Sequence, residues 1–412
     1  MKYGCIGEHL GHSYSKEIHA ALSDYEYEIR EVEREALDSF LSARDFLAIN
    51  VTIPYKEAVI PHLSHIDKTA KDIGAVNTVV NRAGKLYGYN TDFFGMSALI
   101  SHAKISLKDK KVAILGTGGT SKTAAAVAKS LGAREIIKVS RSAHDGAVSY
   151  SDLYENHSDT DIIINTTPVG MYPKIDASPI DISRFPKLCG VIDAIYNPLR
   201  SRLVLSARER GIAAEGGLYM LVAQAVRASE IFLDIEYPLG TVERVYSDVL
   251  KSKENIVLIG MPSSGKSTVG KILSDVLGRD FIDTDDLVTE NAGMSIPNIF
   301  EKYGEKYFRN IESSAVLNAS LISSRVIATG GGVPLREENV TALKQNGKIY
   351  FLDRSPELLT PTSDRPLSKD KAAIEERYRE RYPIYSGKSD KKIDADGKTR
   401  EVAEKILEDF RK

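Results

Sequence analysis

The sequence predicts an α/β protein of several units, and two observations carry that prediction. Runs of about four to six apolar residues alternate with longer helical stretches along most of the chain. Two of these runs, Lys111-Val112-Ala113-Ile114-Leu115 and Asn255-Ile256-Val257-Leu258-Ile259, each lead into a glycine-containing loop and then a helix. The length of 412 residues fits two to three domains, at about 150 residues per domain. A composition with 27% charged and 42% hydrophobic residues excludes a collagenous, low-complexity or wholly disordered chain.

In chain order, Lys2–Ile6 reads as a strand, Glu17–Ser23 as a helix, and Phe46–Ile53 as a strand that Pro54 stops. A second segment begins near Ser106. In it Lys111–Leu115 reads as a buried strand, Lys122–Leu131 as a small-residue helix, and Glu135–Val139 and Asp161–Asn165 as further strands. This is a βαβ unit of the size a dinucleotide-binding fold requires. Ser247–Glu254 is polar and lysine-bearing, which suits a short linker over 247–254. Asn255–Ile259 is again a strand, with a helix over Ser267–Leu277. The two loops space their glycines differently, so the chain reads as two different nucleotide folds in tandem rather than a repeat.

Charge narrows the partners. Lys+Arg 55 against Asp+Glu 57 leaves a net −2. Divided before Glu254, the first part holds 30 basic and 31 acidic residues and the second 25 and 26. Neither part has the basic surplus of a nucleic-acid binder. With only Cys5 and Cys189 there is no disulfide framework, and a reducing, cytoplasmic setting is expected. No run of 18 apolar residues exists, and Met1–Cys5 lacks the apolar core of a signal peptide, so no membrane partner is expected. His62 and His65 lie three apart, but no Cys or further His completes a zinc set.

Gly260-Met261-Pro262-Ser263-Ser264-Gly265-Lys266-Ser267 fits the phosphate-binding loop G-x-x-x-x-G-K-[ST], with a strand before it and a helix after it. Glycines let backbone N–H groups curl around phosphate oxygens, and the helix N-terminus adds positive potential. Lys266 can reach the β- and γ-phosphates while the Ser267 hydroxyl ligates Mg2+. Downstream lie Phe281-Ile282-Asp283-Thr284-Asp285, whose two carboxylates strand alternation would point the same way. Gly304-Glu305-Lys306-Tyr307-Phe308-Arg309, Ala328-Thr329-Gly330-Gly331-Gly332, Arg365-Pro366-Leu367 and Arg381-Tyr382-Pro383-Ile384-Tyr385 follow.

With these motifs in order, residues 255–412 resemble shikimate kinase. The resemblance implies a P-loop α/β domain with a parallel sheet, binding ATP through Gly260, Ser263, Ser264, Gly265, Lys266, Ser267, Thr268 and Arg365. It implies Mg2+ at Ser267 and Asp283. Asp285 would hold and deprotonate the acceptor hydroxyl, Arg309 and Arg381 would clamp the carboxylate, and the Gly331 backbone would line the site. Arg365 would come down on a mobile lid and neutralise charge on the transferring phosphoryl group, beside the catalytic Lys266. Guanidinium forks and charge neutralisation are what a carboxylate substrate and phosphoryl transfer require. Taken singly, Arg309 and Arg381 could be surface arginines paired with Glu312 or Glu380, and Asp283 and Asp285 could simply cap a helix starting near Asp286. Leu358–Asp364 contains no Arg, where the family places an adenine-side arginine.

Gly116-Thr117-Gly118-Gly119-Thr120-Ser121 follows a strand and opens a helix, the pattern of a dinucleotide loop. The next strand ends in Ser140-Arg141-Ser142, with no carboxylate for a ribose 2′-hydroxyl. An arginine flanked by hydroxyls suits a 2′-phosphate, which favours NADP over NAD. Elsewhere stand His12-Ser13-Tyr14-Ser15, Asn50-Val51-Thr52-Ile53-Pro54-Tyr55-Lys56, Gly74-Ala75-Val76-Asn77-Thr78 and Gly88-Tyr89-Asn90-Thr91-Asp92. Asn165-Thr166-Thr167-Pro168-Val169-Gly170-Met171 and Gly217-Leu218-Tyr219-Met220-Leu221-Val222-Ala223-Gln224 complete the set.

Together these clusters resemble shikimate dehydrogenase over residues 1–250 or so. The family architecture implies a discontinuous α/β substrate domain, 1–95 completed by about 220–246, around a Rossmann NADP domain at 96–219. The resemblance implies that Ser13 and Ser15 bind the substrate carboxylate and that Thr52, Asn77, Asp92, Tyr196 and Gln224 line the ring. Gly116, Thr117, Gly118, Gly119, Thr120, Ser140, Arg141, Ser142, Gly217 and Met220 would contact NADP(H). Lys56 and Asp92 are the pair for proton transfer, since ketone reduction needs a hydride on carbon and a proton on oxygen. Asn90 and Asp92 would share a side only on an extended segment. Glu8, Lys16 and Thr117 stand where the family has Pro, Pro and Ala, changes that touch loop stiffness.

Both halves then point to one metabolite. The expected function is bifunctional, with reduction of 3-dehydroshikimate to shikimate by NADPH and then its phosphorylation by ATP to 3-phosphoshikimate. Two alternatives are a catabolic quinate/shikimate dehydrogenase, which Arg141 opposes, and a non-catalytic sensor, which Lys56, Asp92, Lys266, Ser267, Asp283 and Asp285 oppose. The expected partners are small-molecule substrates, in a monomer or homodimer.

Overall fold

The structure, a computed structural model, describes residues 1–8, 10–11, 13–143, 146–360 and 371–411. It divides into two compact units, residues 1–171 with 177–250, and residues 251–412 with 172–176.

The first unit contains two sheets. Strands β1 (Tyr3–Gly7), β2 (Tyr27–Glu31), β3 (Ala48–Val51), β4 (His65–Ile66), β5 (Thr78–Arg82) and β6 (Lys85–Tyr89) form one, in the order β2-β1-β3-β5-β6-β4. Pairing is parallel across β2-β1-β3 and antiparallel across β3-β5-β6. Helices α1 (Ser15–Ala20), α2 (Leu37–Ala43), α3 (Lys68–Ile73) and α4 (Thr91–His102) accompany it. The second sheet has β7 (Lys111–Leu115), β8 (Glu135–Ser140), β9 (Val148–Ser149), β10 (Ile162–Asn165), β11 (Gly190–Asp193) and β12 (Ala213–Glu215), all parallel in the order β12-β11-β10-β7-β8-β9. Every residue of β7, β10 and β11 is buried, because apolar clusters cover both faces of this sheet. That is why these strands read as unbroken apolar runs. Helix α5 (Gly119–Ser130) starts at Gly119 rather than Lys122, since first-turn N–H groups need no intrahelical partner. Helices α6 (Tyr150–Asn156), α7 (Arg202–Glu209), α8 (Leu218–Leu233) and α9 (Thr241–Lys253) follow.

Two sequence-based boundaries fall within helices. The division at 95/96 falls inside α4, whose Met96, Leu99 and Ile100 pack with Val112, Ile114 and Ile162 of the second sheet's core. At Gly95 the helix meets α8, where a Cβ would lie 2.7 Å from Met220 O and 2.9 Å from Gln224 Cβ. The linker expected over 247–254 is mostly the end of α9. Val245 and Val249, one turn apart, are buried against Tyr14, Ile18 and Val222, so the polar residues are only the outer face of an amphipathic helix. Helix α8 also reaches the first sheet, where Ala228 and Phe232 pack with Cys5, Tyr27, Ala48 and Val80.

The second unit is a five-stranded parallel sheet, β13 (Asn255–Ile259), β14 (Asp280–Asp283), β15 (Arg325–Ala328), β16 (Gly347–Asp353) and β17 (Lys391–Asp394), in the order β14-β15-β13-β16-β17. Ile256 and Leu258 face one core with Val269 and Ile406, while Val257 and Ile259 face the other with Val316 and Phe351. Strand alternation with two covered faces thus produces the apolar run of β13. Its helices are α10 (Lys266–Leu277), α11 (Thr284–Ala292), α12 (Ile296–Leu321), α13 (Glu337–Asn346), α14 (Lys371–Lys388) and α15 (Thr399–Arg411). Helix α12 is kinked at Gly304, whose φ of 76° and ψ of 173° only glycine adopts readily. Among the described residues no helix is long and apolar enough to cross a membrane.

Candidate active sites

In the first unit, β3 delivers Asn50 and then the loop carrying Thr52 and Lys56. Lys56 Nζ donates to Asp92 Oδ2 at 2.5 Å, with the two side chains 14% and 8% exposed. Asp92 is not on an extended segment, the condition under which it and Asn90 would share a side. Asn90 is the extended residue (φ −123°, ψ 93°), its side chain caps α4 by accepting from Phe93 N, and Asp92 lies in the first turn. A carboxylate is favoured there by the helix dipole. Beside the pair, Asn77 Oδ1 accepts from Thr91 N at 2.7 Å and its Nδ2 donates to Thr91 Oγ1 at 3.0 Å. Thr91 Oγ1 in turn donates to Gln224 Oε1 at 3.3 Å, so α8, 133 residues further along the chain, joins the group.

The remaining predicted side chains gather in two places. Ser13 Oγ donates to Ser15 Oγ at 2.9 Å, and the Tyr14 and Tyr196 rings lie 5.3 Å apart. Burial, with Tyr14 and Cys5 nearby, pushes the Tyr196 hydroxyl up to about 12 against the opposing hydrogen bond with Ser13. Thr52 lies over Gly7, where a Cβ would sit 2.8 Å from its Cγ2.

The dinucleotide loop faces the Lys56–Asp92 pair. Gly116 has φ 107°, and a Cβ there would lie 2.8 Å from Thr166 Oγ1. Gly118 caps α5 without a side-chain hydrogen bond, which leaves first-turn N–H groups for an anion. A Cβ on Gly119 would lie 3.5 Å from Lys56 Cδ, so the lysine runs along the start of this helix. Lys122 of α5 pairs with Glu57 at 2.7 Å beside it. Thr117 is exposed and Thr120 half-buried on the loop, while Ser140 ends β8 and is followed by exposed Arg141 and Ser142. These groups fit a phosphorylated dinucleotide: an N–H cradle at one strand end and a guanidinium at the next. Gly217 N donates to Ile195 O at 2.7 Å, and any Cβ there would collide with Ala194 O. The Met220 side chain is buried in the apolar core beside Ile114 and Ile192.

Asp193 escaped the sequence reading because a lone Asp at a strand end carries no motif. It is fully buried and accepts from Asn165 Nδ2 (3.0 Å), Ile195 N (3.0 Å) and Ser201 Oγ (2.5 Å). Burial pushes its carboxyl up to about 6, against those three hydrogen bonds. It ties the end of β10 to the loop that carries Tyr196.

In the second unit the phosphate loop turns through Gly260 (φ 149°), Ser263 (φ 64°) and Gly265 (φ 93°). Lys266 Nζ donates to Gly260 O at 3.0 Å and Met261 O at 2.8 Å, across the loop it closes. Gly265 caps α10 with no side-chain hydrogen bond. Ser264 is buried, Ser263 Oγ donates to Thr360 O at 2.9 Å, and Ser267 and Thr268 are exposed. Ser267 Oγ donates to Asp283 Oδ2 at 2.6 Å, while Asp283 Oδ1 caps α11 by accepting from Asp285 N at 3.0 Å. One carboxylate therefore both caps and faces the P-loop hydroxyl. Asp285 is in the first turn of α11, because the strand ends at Asp283, so a helical turn rather than strand alternation sets the two carboxylates together. Ser267 and Asp283 fit a hard cation that keeps waters and phosphate oxygens as its other ligands. Among the described residues no group of three or more His, Cys, Asp or Glu could hold a metal ion.

Next to this loop is a cavity of about 380 Å3 whose lining includes Asp283, Asp285, Arg309, Glu312, Arg377 and Arg381. The Gly330-Gly331-Gly332 backbone orders its charges. A Cβ on Gly330 would lie 2.5 Å from Asp285 Oδ1 and 3.0 Å from Glu312 Oε1, one on Gly331 would lie 3.5 Å from Arg381 Nη1, and one on Gly332 would strike the Arg309 guanidinium. Carboxylates therefore flank one end of the glycine run and guanidiniums the other. Arg309 does pair with Glu312 (2.8 Å), which lines the cavity with it, and also with exposed Glu305 (3.1 Å) at its edge. Burial pushes the Glu312 carboxyl up, partly offset by Arg309. Burial also opposes the Arg309 charge, but Glu312 and Glu305 more than compensate and hold it above its ordinary value. Being almost fully enclosed, Glu312 bears the larger desolvation. Arg381 Nη1 donates to Gly331 O at 2.8 Å. Arg365 lies outside the described residues. Arg377 was missed, since no motif marks it, and Glu312 was foreseen only as a surface partner of Arg309 rather than as a cavity residue.

Comparison with known proteins bears on both units. Residues 5–79 match the model of the shikimate dehydrogenase substrate binding domain, and residues 262–411 that of shikimate kinase. The shikimate dehydrogenase (NADP(+)) of Clostridium beijerinckii is 36% identical over 260 residues, 60% of this chain and 96% of that protein. The chain belongs to the shikimate dehydrogenase family. Behind that part it carries a shikimate kinase domain, so it is a bifunctional enzyme of the shikimate pathway, an NADP-dependent shikimate dehydrogenase joined to a shikimate kinase. Among solved structures it resembles a chorismate mutase/shikimate 5-dehydrogenase fusion protein from Clostridium acetobutylicum, at TM-score 0.57 and 35% identity over 60% of this chain and 96% of that one. It also resembles a shikimate 5-dehydrogenase from Thermus thermophilus in complex with NADP(H) and shikimate, at TM-score 0.54 and 29% identity over 60% and 99%.

Proposed function

We propose that the first unit reduces the ketone of 3-dehydroshikimate through Lys56 and Asp92, and that the second phosphorylates the shikimate 3-hydroxyl through Asp285 and Lys266. The observation that carries the reading is the Lys56–Asp92 contact of 2.5 Å beside the dinucleotide loop. NADPH supplies the hydride when bound. Lys56 then gives its proton to the carbonyl oxygen, and Asp92 steadies the ammonium and helps restore it. Ser13, Ser15 and Tyr196 receive the substrate carboxylate through hydroxyl donors, while Thr52, Asn77 and Gln224 face the ring hydroxyls. Arg141, flanked by Ser140 and Ser142, selects the 2′-phosphate.

ATP with Mg2+ supplies the phosphoryl group in the second unit. Asp285 orients the acceptor hydroxyl and takes its proton, Arg309 and Arg381 hold the carboxylate, and Ser267 with Asp283 positions the cation. Arg365 would neutralise charge on the transferring group. Near-neutral halves support small-molecule partners over nucleic acid, in a cytoplasmic monomer or homodimer. Incubating the full chain with 3-dehydroshikimate, NADPH and Mg-ATP, and identifying products by mass, tests this. Formation of 3-phosphoshikimate, NADP+ and ADP is expected, and unreacted 3-dehydroshikimate or a product stopping at shikimate would overturn one half or the other.

A further inference from the structure

Lys56 sits on a loop that is anchored to the first sheet and reaches toward the second. On the anchored side, Tyr55 and Val59 are buried in one core with Ile6 and Val51, and the Tyr55 hydroxyl donates to Val32 O at 2.5 Å. Between these two anchors Lys56 and Glu57 leave the core, and Lys56 O accepts from Val76 N at 2.7 Å.

Both side chains then meet α5. A Cβ on Gly119 would lie 3.5 Å from Lys56 Cδ, and Lys122 Nζ lies 2.7 Å from Glu57 Oε1. Gly119 and Lys122 are three apart on the helix, so they are neighbours on one face. Adjacent residues of the loop therefore touch adjacent places on the helix that follows the dinucleotide glycines. That helix belongs to the second sheet, where Ala124, Val127 and Ala128 pack with Val112 and Ile114. The ion pair thus joins a loop of one sheet to a helix of the other. Lys122 also stands in the first turn of α5, where the helix dipole disfavours a cation, and Glu57 offsets that cost.

We propose that Glu57 and Lys122 are positioning residues of the dehydrogenase, whose ion pair fixes the loop against α5 and so sets where Lys56 stands relative to a bound dinucleotide. This rests on the dehydrogenase reading above. A proton donor held out of line slows the chemical step without weakening either ligand, so the effect falls on kcat. Glu57 is 54% exposed and Lys122 36%, which makes the pair modest, and its loss should lower kcat about threefold to fivefold.

The test measures NADPH oxidation by the full chain, with 3-dehydroshikimate and NADPH each varied. For Glu57→Gln we expect that threefold to fivefold fall in kcat, with both KM values within about twofold of wild type. Lys122→Glu sets two carboxylates face to face, and kcat should fall about tenfold. Adding Glu57→Lys to it recreates the pair with its charges exchanged, and kcat should return to within about threefold of wild type. Raising the salt concentration should bring the wild-type kcat down toward that of Glu57→Gln and leave the variant's own kcat in place. A lysine that serves only to bind phosphate gives a different pattern: Lys122→Gln would raise KM for NADPH, Glu57→Gln would leave kcat unchanged, and the proposal would fall. A charge-exchanged chain no faster than Lys122→Glu would overturn it as well. A wild type that leaves NADPH unoxidised with 3-dehydroshikimate would overturn the dehydrogenase reading and this one together. An active wild type with an indifferent Glu57→Gln overturns this one alone.

Discussion

Lys56 Nζ lies 2.5 Å from Asp92 Oδ2, although 36 residues of sequence separate them. One comes from the loop after β3 and the other from the first turn of α4, and the same lysine runs along the start of the dinucleotide helix at Gly119. Substitution Lys56→Ala should therefore lower NADPH oxidation with 3-dehydroshikimate by about a hundredfold to ten-thousandfold, the range for losing a positioned acid. Kinase activity of the same chain should stay at the wild-type rate, and a coupled spectrophotometric assay reads both.

Lys266→Ala should do the reverse. Its ammonium closes the phosphate loop onto Gly260 O and Met261 O. Losing it removes the point charge that meets the β- and γ-phosphates, so shikimate phosphorylation should drop at least about a hundredfold. Dehydrogenase kcat should not move. A loss of both activities with a folded chain would contradict independent sites.

Arg141 is exposed just past the end of β8, with no carboxylate beside it in Ser140-Arg141-Ser142. For Arg141→Ala we expect KM for NADPH to rise about tenfold to a hundredfold, the worth of one or two charge-assisted hydrogen bonds. KM for NADH should stay unchanged, so the ratio of the two reports the 2′-phosphate contact directly.

Gly332 has φ −94° and ψ −14°, a conformation that alanine adopts without strain. A Cβ there would nevertheless strike the Arg309 guanidinium. Gly332→Ala should leave the domain folded and displace that guanidinium, raising KM for shikimate about tenfold with little change in KM for ATP. Steady-state kinetics with each substrate varied separates the two.

Asp193 offers a pH test. Its carboxyl is raised from 3.8 to about 6 in the folded chain. The folded state therefore holds the proton more tightly, and this group's contribution to stability is present below about pH 4 and lost as pH rises to about 6. The loss is on the order of 3 kcal/mol. Asn at this position keeps an oxygen for Asn165 Nδ2 and Ile195 N and presents an N–H to Ser201 Oγ, which can accept. Asp193→Asn should thus match wild type near pH 4 and exceed it at pH 7.5 in chemical denaturation. His19, buried and lowered to about 3 chiefly by desolvation, removes stability as pH falls below about 6.5, but equally in both chains, so the difference curve cancels it.

Much of this protein was legible in its residues. The buried strands Lys111–Leu115 and Asn255–Ile259, the two glycine loops and the order of the motifs are local patterns, since backbone period and glycine chemistry act within a few residues. The residue types at each site were legible for the same reason. Tertiary structure alone decided which of them meet. It set Asp92 in a helical turn, folded 247–253 into α9, brought Gln224 to Thr91, buried Asp193 beneath the Tyr196 loop and turned Arg377 into the kinase cavity. Those outcomes depend on contacts between residues distant in the chain, where close approach, as at Gly95 against Met220 O, and burial of charge overrule what neighbours in sequence prefer.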